Sequence, residues 1–330
     1  MILEVPLDRV LFVFPGQGSQ YRGMGSDVVA AFPAAREIFE RASETVGYDM
    51  QTLCFEDPEE RLSRTRFTQP ALLTHEIACL EAVRSSASSA LESALVAGHS
   101  LGEYSALVAS GALRFEDALR LVSRRGELMS EFGRGGMVAT TLDKDSALAL
   151  ANRYFCGVGG CNLPDQTVIA GEDADLDALL ADFGETHPGK RAIRLDTEGA
   201  FHTHLMIDAA LRFRPVLEEV EFASPTCSIL SNYTGQLHGP DGQSIRSRLF
   251  FQLFNPVRWF DCMKVAFDEG VSTIIEFGGG IGKQPEPEGK RPNLEGIIKK
   301  SLKFVGHDAQ YAPAINARTI GELADRLATA

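Results

Sequence analysis

The chain has 330 residues, of which 44% are hydrophobic and 23% charged, which is typical of a globular protein with one large core and a smaller subdomain. Its net charge of −13 disfavours nucleic-acid binding over the surface as a whole, because phosphates would be repelled. The N-terminal sequence has no basic segment before a cleavable apolar run, and no apolar stretch reaches the roughly 20 residues of a membrane span. We therefore expect a cytoplasmic monomer without membrane contact, and the spacing of its cysteines predicts neither a zinc site nor disulfides.

The first predicted element is a buried strand, the continuous apolar run from residue 10 to residue 14. The sequence PGQGSQ follows it as a glycine turn that exposes backbone N–H groups at the carboxyl end of the strand. Ligands favour such turns in α/β sheets. Two helical apolar patterns, at residues 28–48 and 69–84, carry no catalytic constellation and are interpreted as scaffold.

The next stretch, LVAGHSLGEYSALVASGAL, predicts a strand, a sharp turn and a helix in that order. The turn has the Gly-x-Ser-x-Gly pattern, in which glycines permit a backbone bend that lifts the serine hydroxyl into a cleft. A plain strand-to-helix turn is the alternative interpretation. Because the flanking strand and helix are both present, the pattern favours Ser100 as a nucleophile.

A helix predicted at residues 113–132 carries an arginine on its apolar face. Its apolar residues recur every three or four positions, and Arg125 falls on their stripe, whereas Arg124 points elsewhere. A buried guanidinium is costly unless it is paired. Arg125 therefore requires a carboxylate, which could be the protein's own or one supplied by a ligand.

Residues 137–195 read as a separate unit with the element order β-α-β-β-α-β, which is the ferredoxin-like pattern. We expect this subdomain, residues 135–198, to be inserted into a larger α/β domain formed by residues 1–134 and 199–330. It would then form one wall of the cleft above Ser100.

The sequence GAFHTHLM contains two histidines, His202 and His204. An extended segment would place both on the same side, so spacing alone does not choose between them. A serine nucleophile needs a neighbouring base, which makes one of them the candidate. The usual carboxylate partner of that base is not identifiable.

Past residue 271 the chain contains one evident strand, residues 272–277, which we take to be the last. GGGIGK follows it, but its spacing and the glutamine after its lysine do not fit a phosphate loop. Residues 284–293 read as an exposed loop. Residues 294–304 then form a basic amphipathic helix.

Several of these blocks together resemble one family, the malonyl-CoA:acyl carrier protein transacylases and the trans-acting acyltransferases of polyketide synthases. They are FVFPGQGSQ, GHSLGEYSALVASGAL, CNLPDQTVIAG, GAFHTHLM and NPVRW. The resemblance extends from residue 10 to about residue 277 and implies a hydrolase-like α/β domain with an inserted ferredoxin-like subdomain. This agrees with the element order derived above.

The resemblance also assigns roles to individual residues. It implies that Ser100 is acylated and that His202, not His204, is its base, oriented by the main-chain carbonyl of Gln252. The backbone N–H groups of Gln17 and Leu101 would form the oxyanion hole, and Arg125 would bind the free carboxylate of a malonyl-type group. Four further positions match substrate-binding positions or lie beside them: Met129, Asn162, Phe201 and Glu198.

The implied reaction is a ping-pong transfer between CoA and phosphopantetheine thioesters, with an acyl carrier protein as partner and neither a metal nor a bound cofactor. Malonyl-CoA is the leading donor. A shuttle between carrier proteins for an amine-bearing acyl group is the alternative, because Glu198 departs from the family pattern and could lie near Arg125. A serine esterase or thioesterase is the alternative from another class. The candidate docking residues for the carrier protein are basic: Arg153, Lys290, Arg291, Lys299, Lys300 and Lys303.

Overall fold

A computed structural model describes residues 9–87 and 91–328. Residues 1–8 and 329–330, which the predicted large domain includes, lie outside it, as does the start of the N-terminal sequence discussed above. The described residues form two sheets, one of six strands and one of four. The predicted fold class, a parallel-sheet domain carrying a ferredoxin-like subdomain, is confirmed.

The strands of the large sheet come from both ends of the chain, and those of the small sheet are consecutive. The described strands are β1 Val10–Phe14, β2 Leu95–Gly98, β3 Gly136–Thr140, β4 Gly157–Leu163, β5 Gln166–Gly171, β6 Ala192–Leu195, β7 Ser228–Ser231, β8 Gln236–Leu237, β9 Thr273–Phe277 and β10 Gln310–Ala314. The described α-helices are α1 Ser26–Ala31, α2 Pro33–Val46, α3 Met50–Phe55, α4 Thr65–Ser86, α5 Gly102–Ala109, α6 Phe115–Phe132, α7 Lys144–Arg153, α8 Asp173–Thr186, α9 Ile207–Glu218, α10 Gly242–Gln252, α11 Trp259–Asp268, α12 Glu295–Val305 and α13 Ala317–Ala328.

The large sheet has the strand order β10-β9-β1-β2-β7-β8, and its strands run parallel except for β8. Every residue of β1, β2 and β9 is buried, because helices cover both faces of a parallel sheet. This explains why β1 reads as an uninterrupted apolar run. The turns after β1 and β2 leave neighbouring strands at the same edge, so PGQG and the elbow around Ser100 lie side by side.

The small sheet is antiparallel, with the order β4-β5-β3-β6, as the ferredoxin-like pattern predicts. Val138 and Ile169 pack beneath α7 and α8 in a core of their own. Met137 and Val168, on the opposite face, join the core of the large domain. The face without helices is therefore turned toward Ser100.

One prediction about the scaffold is wrong. Residues 273–277 are not the last strand, since β10 follows and pairs with β9 at the sheet edge, where its Pro313 is tolerated. The helical pattern predicted at residues 28–48 is divided into two helices, α1 and α2, because Phe32 precedes a proline and adopts an extended backbone (φ −125°). None of the described helices is long and apolar enough to cross a membrane.

Candidate active site

The elbow between β2 and α5 holds Ser100 with a positive φ of 53°, a strained conformation for a residue with a side chain. Glycines make the turn possible: a Cβ on Gly98 would lie 1.8 Å from the carbonyl carbon of Gly102. A Cβ on Gly102 would lie 2.2 Å from the main-chain oxygen of Phe14. Asn232 fastens the turn, accepting from the Ser100 N–H at 2.6 Å and donating to the Gly98 carbonyl at 2.8 Å.

His202 lies directly against the serine. Its Nε2 is 2.7 Å from the Ser100 Oγ, and its Nδ1 is 2.8 Å from the main-chain oxygen of Gln252. A carbonyl oxygen only accepts, so Nδ1 carries the proton and Nε2 can accept the serine hydroxyl. Burial, reinforced by the positive charge of Arg125, lowers the pKa of His202 to about 3. The imidazole is therefore neutral and able to act as a base.

Residues 199–206 do not form an extended segment, so alternation does not place the two histidines on the same side. His202 has a positive φ of 63°, and a short 3-10 helix, His204–Met206, follows it. The two histidines consequently diverge, His202 being 5% exposed and His204 lying on the surface. The backbone turn between them, which alternation could not reveal, brings His202 alone to Ser100.

Arg125 reaches the same point from α6 and is 1% exposed. Its Nη2 donates to the Ser100 Oγ at 3.2 Å and to the Gln252 Oε1 at 3.0 Å, while its Nη1 donates to the Gln69 Oε1 at 2.9 Å. Its Nε has no hydrogen-bond partner among the described residues. Within residues 9–87 and 91–328, no carboxylate forms a salt bridge with it, so a buried positive charge faces the nucleophile without a carboxylate in contact.

Glu198 does not supply such a contact. Its Oε2 accepts from the Thr65 N–H at 2.7 Å and from the Ser130 Oγ at 3.0 Å. Thr65 is the first residue of α4, whose own N-cap residue makes no side-chain bond, so Glu198 satisfies a free helix N–H. The possibility that Glu198 meets Arg125 does not hold in this structure.

Ser100 opens onto a cavity of about 490 Å³ between the two sheets. Met129, Phe201 and Asn162 line it, the last with its Oδ1 2.9 Å from the His99 Nε2. Gln17 and Leu101 also line it, and no described residue accepts a hydrogen bond from either backbone N–H. An acyl group bound at Ser100 would thus have its carbonyl oxygen beside unoccupied donors.

The six predicted docking residues are dispersed. Arg153 pairs with Asp182 on the helix-covered face of the small sheet. Lys299 pairs with Glu295, and Lys290 donates to the Gly282 carbonyl beside the ring of Tyr21. Arg291 and Lys303 are exposed.

Lys300 has a different environment. It lines a second groove of about 240 Å³ together with Arg191, and Gln166 lines both this groove and the reactive cavity. Neither cation has a salt-bridge partner in the described part of the chain.

Sequence reasoning missed four polar residues around the site: Gln69, Glu103, Asn232 and His238. The first three are fully or almost fully buried, and each makes hydrogen bonds to chain-distant residues. Gln69, beside the apolar run of α4, was the available signal, whereas Glu103 stands in the first turn of α5, where an acidic residue is ordinary. Buried polar side chains require partners, and the partners here are the catalytic candidates.

The chain matches the acyl transferase domain family over residues 11–278. It is 36% identical to the malonyl CoA-acyl carrier protein transacylase of Bacillus subtilis over 303 residues, covering 89% of this chain and 90% of that one. It is 40% identical to the polyketide biosynthesis protein ThaF of Burkholderia thailandensis over 274 residues, which are 82% of this chain but 23% of that protein. A solved complex of a type II PKS acyl-carrier protein with its malonyl-transacylase, PlMCAT:AntF, is similar with a TM-score of 0.86 and 32% identity, covering 96% of this chain and 99% of that one.

Proposed function

The chain belongs to the acyl transferase family and is an acyltransferase, and we propose that it transfers a malonyl group from malonyl-CoA to the phosphopantetheine thiol of an acyl carrier protein. The observation that carries the choice of donor is Arg125. Its guanidinium is buried, lacks a carboxylate partner among the described side chains, and lies 3.2 Å from the Ser100 Oγ. A malonyl group on Ser100 presents a free carboxylate there, which supplies the missing contact.

In the proposed acylation, the Ser100 Oγ attacks the thioester carbonyl while His202 Nε2 takes the hydroxyl proton. The Gln252 carbonyl holds the imidazole through Nδ1, which stabilises the cation formed as the proton arrives. The N–H groups of Gln17 and Leu101 bind the oxyanion of the tetrahedral intermediate. The C–S bond then breaks, and His202 returns the proton to the leaving CoA thiolate, which departs as the thiol.

The second half-reaction runs the same chemistry in reverse. His202 takes the proton of the phosphopantetheine thiol, the sulfur attacks the serine ester, and the C–O bond to Ser100 breaks. The proton returns to the Ser100 Oγ. One thiol is released in the first half-reaction and one is consumed in the second, so protons and bonds balance without a bound cofactor.

A carrier-protein partner is supported by the relatives. The B. subtilis transacylase bears that partner in its name, and the similar solved structure contains a carrier protein with its malonyl-transacylase. We propose that the phosphopantetheine arm lies in the second groove, which shares Gln166 with the reactive cavity. Leu195 lines the reactive cavity and Arg191 lines the groove, and four residues of strand span about 13 Å.

That span suits the arm, whose backbone from sulfur to phosphorus is as long as about four extended residues, roughly 15 Å. Arg191 and Lys300, both without a salt bridge in the described ranges, would then meet its phosphate. Of the predicted docking residues, Lys300 therefore has the strongest support.

The alternatives have weaker support. The carrier-protein shuttle for an amine-bearing group depended on Glu198, which is occupied by Thr65 and Ser130 and does not line the cavity. An esterase or thioesterase would share Ser100 and His202, but its reaction does not require a buried guanidinium without a carboxylate partner beside the nucleophile.

Intact-mass measurement of the enzyme after mixing with malonyl-, acetyl- and aminoacyl-thioesters tests the proposal. Wild type should gain malonyl mass fastest. Arg125→Ala should lose malonyl loading by about 10²-fold or more, because a bidentate charge-assisted pair contributes a few kcal/mol, while acetyl loading changes less. Arg124→Ala is the matched control, since Arg124 lies next in sequence but pairs with Glu127 at the surface. Wild type preferring a donor without a carboxylate would refute the malonyl assignment.

A further inference from the structure

Glu103 is a buried carboxylate beneath the site, and the mechanism above does not use it. It lies in the first turn of α5 and is 0% exposed. One oxygen, Oε1, is 2.7 Å from the His238 Nε2. The other, Oε2, accepts from the Asn232 N–H at 3.1 Å and from the Gln252 Nε2 at 2.8 Å. Its contact with Gln252 links it to the catalytic candidates.

The side-chain amide of Gln252 is fully buried and has a specific partner at each end. Its Nε2 donates to Glu103 Oε2 and to the Ser100 main-chain oxygen at 2.9 Å, and its Oε1 accepts from Arg125 Nη2 at 3.0 Å. An amide can rotate by a half-turn and exchange these ends. The Oε2 of Glu103 that faces the amide also accepts from the Asn232 N–H, so it holds the NH₂ end of Gln252 and directs Oε1 toward the guanidinium.

The reversed orientation would be unfavourable in two places at once. The amide oxygen would face the carboxylate of Glu103, and the amide NH₂ would face the Nη2 donor of Arg125. Each would leave a buried polar group unsatisfied. The orientation of Gln252, and hence the acceptor available to Arg125, thus depends on Glu103.

The same arrangement keeps the carboxyl group of Glu103 out of direct contact with the guanidinium of Arg125. A carboxylate directly on Arg125 would neutralise it and repel a second carboxylate from the ligand. The neutral amide of Gln252 stands between Glu103 and Arg125, and the other held guanidinium nitrogen also meets a neutral amide, that of Gln69. Arg125 is fixed in place by acceptors that leave its charge available.

We propose that Glu103, held by His238, is a positioning residue for donor selection: it sets the orientation of the Gln252 amide and thereby aims Arg125 at the acyl carboxylate. This inference rests on the proposed malonyl donor, because it concerns the group that Arg125 receives. The inference adds that Glu103, which contacts Gln252 and not the substrate, determines part of the preference for the donor.

The test is Glu103→Gln, which keeps size and burial but allows either orientation of Gln252. We measure kcat/KM for acylation by malonyl-CoA and by acetyl-CoA, in the wild-type and Arg125→Ala backgrounds. In the wild-type background we expect malonyl acylation to fall about 10-fold, mainly through KM, and acetyl acylation to change less than about 3-fold. In the Arg125→Ala background the substitution should change malonyl acylation little, because the two residues act in series.

Glu76→Gln is the matched control. Glu76 is another fully buried carboxylate on α4, and it accepts from Ser105 of α5, the helix that carries Glu103, without touching Gln252. Its malonyl-to-acetyl ratio should equal that of wild type. Equal losses for both donors in Glu103→Gln, or an undiminished malonyl loss in the Arg125→Ala background, would overturn the positioning role.

If Glu103→Gln does not fold, His238→Phe removes the Nε2 donor and retains the carboxylate. For His238→Phe, a fall in kcat/KM for malonyl-CoA alone, smaller than that expected for Glu103→Gln, supports the proposal. Equal falls in kcat/KM for malonyl-CoA and acetyl-CoA contradict it. The proposed function fails separately, through a wild-type enzyme that does not prefer malonyl-CoA.

Discussion

The depressed pKa of His202 predicts an acylation rate that is nearly independent of pH through the mildly acidic range. An ordinary histidine, with a pKa near 6.5, would be only about 3% neutral at pH 5, and a rate that needs the neutral base would fall about 30-fold. The pKa of His202 is about 3, because burial penalises the imidazolium and Arg125 repels it. We therefore expect less than a twofold loss between about pH 7.5 and pH 5.

The assay is quenched-flow acylation of Ser100 followed by intact mass, with acetyl-CoA as donor because its acyl group does not ionise. Arg125→Ala should move the profile to higher pH, since removing a neighbouring positive charge raises the pKa of the imidazole. A wild-type profile that falls with a midpoint between about 6 and 7 would refute the assignment of a neutral, buried base.

The same shift has a cost in stability, which the experiment must separate from catalysis. Below pH 6.5 the imidazole of His202 is protonated in the unfolded chain but stays neutral in the folded protein. The free energy of unfolding therefore falls as the pH decreases toward about 3. At pH 5 the loss is about 2 kcal/mol. Thermal unfolding at each pH shows whether the enzyme is still folded where its rate is measured.

Two further predictions follow from the placement of the site and its groove. Ser100→Ala should abolish acyl-enzyme formation and His202→Ala should slow it by orders of magnitude, whereas His204→Ala should change it little; an essential His204 in the same mass assay would contradict the assignment. Reversal of Arg191 and Lys300 to Glu should slow loading from malonyl-CoA and transfer to the carrier protein in a salt-sensitive way, but not loading from malonyl-N-acetylcysteamine, which has no phosphate. Lys299→Glu is the control, because Lys299 already pairs with Glu295; an unchanged carrier rate in the double variant would remove the groove from the interface.

The elements that the sequence predicted well are those whose burial leaves a recognisable pattern of apolar residues. The strand at residues 10–14 was predicted with the bounds that β1 has, because it is buried on both faces and reads as an unbroken apolar run. The β-α-β-β-α-β order of the small sheet was also predicted, although β6 is largely exposed. The strand β10 was missed, since its sequence QYAPA contains a proline and lacks the branched residues that favour strands.

The polar network under Ser100 could not be predicted in this way. Glu103 stands in the first turn of a helix, where an acidic residue is ordinary because it stabilises the helix dipole. The helix dipole thus explains an acidic residue at this position without any tertiary contact. In the structure, however, the carboxylate is 0% exposed and accepts from Gln252, 149 residues away. Gln252 in turn orients His202 with its main chain and Arg125 with its side chain. A pattern within one helix carries no information about that pairing, because the partners meet only after α5, α6 and α10 have packed. In the proposed mechanism, the choice between carboxylated and uncharged donors therefore depends on tertiary contacts that connect three separate helices, and substitutions at Glu103 should alter it without touching the substrate.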